Sequence, residues 1–177
     1  MRSMRLADSL VRADEFLLDR VFQPLTDRLG ERPSAFDVGI SLELGAVVME
    51  VAADVALYLI GQLSWSAGLW DGFSCACGMW FYVFMMRQRF LVRPGHANPL
   101  RLMYRSLRLL ALGFAIWSLF AAATSGPLGA LSYAFNAFSN FAFVAGMYFI
   151  SCQPRPPGWR LAQRKGIGAP LAVPTWS

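Results

Sequence analysis

Two patterns of hydrophobic and polar positions divide the chain. Residues 1–36 place a charge every few positions. Residues 39–152 hold four long apolar runs, at 39–65, 69–86, 107–123 and 128–152, separated by two short connections and a longer basic one at 87–106. A helix needs about 20 mostly apolar residues to cross about 30 Å of hydrocarbon. Four such runs in series predict an all-α membrane protein, a four-helix transmembrane bundle with spans at about 38–64, 67–91, 99–124 and 127–152.

The flanks have different patterns. In residues 1–36, Leu6, Leu10, Leu17 and Val21 recur at helical spacing, with Val11, Leu18, Phe22, Leu25 and Leu29 on an adjoining flank. That spacing predicts a cytoplasmic amphipathic helix, bent or divided at Pro24. This charged segment lacks the apolar core of a signal peptide, so the first span is expected to start insertion uncleaved. Ser34 and Asp37 read as a capping box opening the first span. Asn98 is placed to cap the third, with Pro99 in its first turn. Residues 153–177 carry five prolines and read as a flexible cytoplasmic tail.

Charge adds an orientation. The sixteen Lys and Arg residues fall in three segments: before residue 33, between 87 and 108, and after 154. The connections near 61–69 and 124–127 hold none. Cytoplasmic loops carry the Lys/Arg excess, which puts both termini inside. The preference for Arg over Lys is a compositional sign of a GC-rich bacterial genome, and the expected address is a bacterial inner membrane. All eleven acids lie within residues 1–71, and residues 72–177 hold ten basic groups and no acid. Such a face is expected to attract anionic lipid headgroups, at about 1 kcal/mol per Lys or Arg. The topology rule accounts for the same charges, so nucleic acid is not an expected partner. Hydrophobic residues make up 56% of the chain and charged residues 15%, against roughly 45–50% and 25% in soluble domains.

Chemistry is sparse. Cys75 and Cys77 sit in one helix at a spacing that points the thiols apart, and Cys152 lies at the end of the fourth run. His96 is the only histidine. There is no Gly-rich phosphate loop, no metal-spaced Cys/His cluster and no nucleophile with an evident base. These features predict no catalytic, cofactor-binding or metal-binding residues and no enzyme.

The candidate polar or ion site is intramembrane. Glu43, Glu50 and Asp54 fall within about 40° on the first apolar helix. Each central acid costs about 2.5–3.5 kcal/mol to insert, so the stripe is expected to avoid lipid. Ser132, Asn136 and Asn140, with Ser139, form a polar side on the fourth helix. Counting from each end puts Asn140 at the depth of Glu50 and Asn136 at that of Asp54, which predicts facing stripes. Gly68, Gly72 and Ala76, and then Ala142 and Gly146, have spacings that permit close helix approach.

The expected function is a non-enzymatic subunit or accessory component of a membrane complex. Its partners would be the lipid bilayer and either a second copy or another membrane protein. The alternative is a small proton- or cation-coupled transporter using the acids of the first helix.

Overall fold

The computed structural model describes residues 2–29, 33–59, 61, 64–124, 127–156 and 158–159, the side chains of 2–7, 67 and 127–132 excepted. The elements are α1 (Arg2–Phe16), a π-helical stretch (Leu17–Phe22), α2 (Gln23–Arg28), α3 (Ala35–Leu59), α4 (Trp65–Arg87) with a 3-10 extension (Gln88–Leu91), α5 (Leu100–Met103), α6 (Arg105–Thr124) and α7 (Pro127–Ser151).

Helix α7 is the centre, lying between α3 and α6, with α4 against α3 and α5 beside the carboxyl end of α7. Val144, Met147, Tyr148 and Ile150 of α7 are buried with Phe36 and Ile40 of α3 and Ala111 and Ala115 of α6. Gly39 and Gly146 set how closely α3 and α7 approach. A Cβ added at Gly39 would sit 2.7 Å from the Gly146 carbonyl, and one added at Gly146 would sit 2.8 Å from the Gly39 carbonyl. Gly72, on α4, would meet nothing within 4 Å. The spacing at Ala142 and Gly146 thus serves a backbone contact at Gly146, whereas Gly72 faces open space.

The expectation of four transmembrane helices is overturned. Among the described residues one helix, Arg105–Thr124, is long and apolar enough to cross a membrane. Every 18-residue stretch of α3 holds at least three acids, drawn from Asp37, Glu43, Glu50 and Asp54. Tryptophan, glycine and serine, together with Asp71, dilute the apolar character of α4. Only 17% of the most apolar stretch of α6 is buried, so α6 is not the enclosed core helix of a globular domain.

The arginine pattern that argued for orientation also has a second cause, because among the described residues five arginines pair with acids of the same chain. Arg89 meets Asp37 at 2.8 Å, Arg101 meets Asp19 at 2.7 Å, and Arg105 meets Glu15 at 2.8 Å. Arg108 meets Asp14 at 2.6 Å and Arg155 meets Asp27 at 2.9 Å. Much of the acid–base split between the two parts of the chain is therefore intramolecular complementarity.

The amino-terminal segment stays helical through Pro24 and changes helix type just before it. Proline has no N–H to donate and its ring crowds the carbonyl four residues back. The preceding turn widens to a π-helix, and the Gln23 N–H bonds the Leu18 carbonyl, five residues away. The buried side of this segment runs through Asp14 and Leu18, with Phe22 half-buried, while Leu10, Val21 and Leu25 stay exposed. Leu17 of the main stripe and Leu18 and Phe22 of the adjoining flank therefore meet the bundle.

The Ser34–Asp37 cap is present, and Asn98 caps the short α5 rather than α6, because the expected third helix is interrupted at Tyr104. Ser34 Oγ accepts from the Asp37 N–H at 3.2 Å, and the Asp37 carboxylate accepts from the Ser34 N–H at 3.2 Å and hydroxyl at 2.7 Å. Asn98 Oδ1 accepts from the Leu100 N–H at 3.0 Å. The flexible tail expected at 153–177 lies outside the described residues from 160 onward. Its beginning is ordered on the bundle, where Gly95, with φ of 79°, donates its N–H to the Pro154 carbonyl.

Candidate functional site

The acid stripe of α3 does not act as one unit. Glu43 is 1% exposed, packed against Gly146, and its Oε1 has no hydrogen-bond partner among the described residues. Glu50 and Asp54 are partly exposed. Asp54 receives a long contact from the Cys75 thiol at 3.8 Å and lies in the field of the like-charged Asp71 and Glu50.

On α7, Asn140 donates to Ser118 Oγ of α6 at 3.3 Å and makes a short hydrogen bond with Asn136 Oδ1. Ser139 donates to the Ala46 carbonyl of α3 at 2.9 Å. The amides therefore satisfy one another and α6, and only Ser139 turns towards α3. The side chain of Ser132 lies outside the described residues. The register is close to the one counted from sequence, with residue 46 beside 139 and 43 beside 146, but the azimuth differs. Among the described residues no cluster of His, Cys, Asp and Glu is arranged to hold a metal ion.

A second polar constellation was missed from sequence. Arg108, on α6, is fully buried beneath the amino-terminal segment. Its Nε and Nη2 donate to the two carboxylate oxygens of Asp14 at 2.9 and 2.6 Å. Nη1 donates to the Arg101 carbonyl at 3.0 Å and to Ser151 Oγ at 2.7 Å, and the Ser151 hydroxyl in turn donates a hydrogen bond to the Met147 carbonyl at 2.7 Å. The guanidinium carbon lies 5.3 Å from the centre of the Tyr148 ring, within cation–π range. Two-point Arg–carboxylate geometry is the strong form of this contact. Removing one partner of such a buried pair typically costs about 3–5 kcal/mol, since the other charge is left uncompensated.

Further contacts bind the same segment. Phe22 stacks on Tyr148 at 4.7 Å and meets Phe149 edge-on at 5.4 Å. Gln23 accepts from the Gln153 N–H at 2.8 Å and donates to its carbonyl at 3.1 Å, closing the carboxyl end of α7. Asn98 donates there too, to the carbonyls of Ile150 at 2.7 Å and Cys152 at 2.9 Å. A last-turn carbonyl without a partner is costly when buried, and these amides provide the partners.

Two titrating groups at this end are displaced from their ordinary ranges. The Ser34 hydroxyl bond holds the Asp37 carboxyl below the usual value; burial opposes it, and the Ser34 N–H and Arg89 reinforce it. Burial pushes the Cys152 thiol up to about 12, which leaves it an inert packing group. The available sequence signal for the Arg108 site was the spacing of Arg101, Arg105 and Arg108 on one helical side, opposite Asp14, Glu15 and Asp19. No spacing rule identified those two sets as partners. Comparison of the chain with family models, curated proteins and solved structures found no match.

Proposed function

We propose that this chain is a non-enzymatic accessory subunit of a membrane complex, anchored through α6 in a bacterial inner membrane with its arginine-rich end on the cytoplasmic side. The carrying observation is apolar surface left outside the fold. On α4, Leu69, Trp70, Phe73, Trp80 and Phe84 are exposed, and on α6, Leu110, Phe114, Trp117 and Phe120 are exposed. Contiguous apolar surface of this kind marks an interaction with protein or lipid. The α6 face suits acyl chains, and we assign the α4 face to a helix of a partner subunit.

The test is affinity capture from membranes in mild detergent, comparing the native chain with Trp80→Glu. The proposal expects a stoichiometric membrane partner, or a second copy, that the variant no longer retains while its thermal midpoint is unchanged. Recovery of the native chain as a dispersed species without detergent would end the reading.

A further inference from the structure

Arg108 Nη2 lies 2.6 Å from Asp14 Oδ2, and Arg105 Nε, buried without a hydrogen-bond partner among the described residues, lies 4.0 Å from the same oxygen. Arg105 also holds Glu15, and Arg101, one turn earlier, holds Asp19. An anion between two guanidinium forks is the arrangement in which arginine holds phosphate as well as carboxylate. Every acid in this cradle comes from the amino-terminal segment, and every base from α5 and α6. Arg101 and Arg105 keep about a third of their side-chain surface in solvent, so an incoming anion can reach them. Arg108 is covered by the segment, so departure of the segment uncovers a third guanidinium to the same incoming anion.

We propose that this cradle is a phosphate-exchange site, in which the carboxylates of Asp14, Glu15 and Asp19 and an external phosphate group exclude one another. Occupation by phosphate frees the amino-terminal segment, and docking of the segment displaces phosphate. The site deepens the membrane reading above, and rests on it for an anionic phospholipid headgroup as the source. Free phosphate shares the same chemistry. Segment release would then report arrival at an anionic bilayer, or a rise in soluble phosphate.

The test is a distance measurement between spin labels on exposed positions of the full-length chain, Arg20→Cys and Leu102→Cys, with Cys75, Cys77 and Cys152 replaced by alanine. The chain is reconstituted in phosphatidylcholine vesicles with and without phosphatidylglycerol. In detergent it is titrated with inorganic phosphate against sodium chloride at equal ionic strength. A long-distance population is expected to grow about tenfold when the anion exceeds its dissociation constant tenfold. Glu15→Gln should lower the phosphate needed and Arg105→Gln should raise it.

Growth with phosphatidylglycerol alone supports a headgroup site, and growth with inorganic phosphate supports the same cradle for soluble anions. Equal growth in phosphate and chloride means screening only and overturns the proposal, as does no growth in any arm or no response to either variant. A chain that answers phosphate but fails to remain in vesicles keeps the cradle and sinks the membrane reading. A chain that stays in vesicles without answering any anion does the reverse.

Discussion

Single residues divide here into those whose polarity is satisfied and those whose polarity is not. Asp14 and Arg108 are both buried and meet at two points, so either alone is a liability. Asp14→Ala is expected to lose about 3–5 kcal/mol in equilibrium unfolding, and Asp14→Leu combined with Arg108→Met should recover most of it. A double-mutant cycle checks this, and simple additivity would refute the pairing. Glu43 is the opposite case, with an idle buried oxygen. Its replacement by glutamine should be near neutral, and Glu43→Leu neutral or stabilising in thermal melts, because no existing bond is broken.

Asp37 adds a pH dependence. Its folded-state carboxyl is depressed by Ser34, so its contribution is present above the unfolded value of 3.8 and fades as pH falls through the lower folded value. Ser34→Ala, lacking the hydroxyl bond, should show a weaker loss of stability across that acid window when melts are followed against pH.

Helix packing depends on which small residues meet backbone. Gly146→Ala places a methyl 2.8 Å from the Gly39 carbonyl, a clash with main chain that cannot move aside. Overpacking of this kind costs typically about 1–3 kcal/mol. Gly72→Ala faces open space and should stabilise α4 by roughly 0.5–1 kcal/mol through helix propensity. Parallel denaturation curves separate the two, and similar losses at both sites would contradict the α3–α7 contact. The sequence showed both spacings equally, because a small-residue repeat is silent about whether a neighbouring helix exists to use it. The facing of the polar stripes was misread for a related reason. Depth follows from counting along a helix, but azimuth depends on how α6, α7 and α3 are rotated, and Asn140 turned to Ser118.

At the scale of the whole molecule, the charged end is closed by its own ion pairs, and apolar surface is left on α4 and α6. Cys77, exposed on α4, and Cys152, buried at the end of α7, report on this difference. In native membranes a water-soluble maleimide should label Cys77 slowly, because partner or lipid covers α4. Stripping the complex should accelerate it. Cys152 should stay unreactive in both states until the fold opens, since burial holds its thiol near 12. Rapid labelling of Cys77 in intact membranes would count against the covered α4 face.

By itself the sequence determined the helices and their local ends. Apolar runs, the reciprocal Ser34–Asp37 cap, the Asn98 cap and the π-helical turn before Pro24 all follow from neighbours within a few positions, which the chain carries with it. It also determined that acids collect early and arginines late. Only the tertiary structure decided that these two sets are partners, because Asp14 and Arg108 are separated by 94 positions and nothing local joins them. That same pairing removed much of the argument that the arginines mark membrane topology, and among the described residues α6 is the one helix long and apolar enough to cross a bilayer. Charge along a chain states supply, whereas folding decides where each charge is compensated.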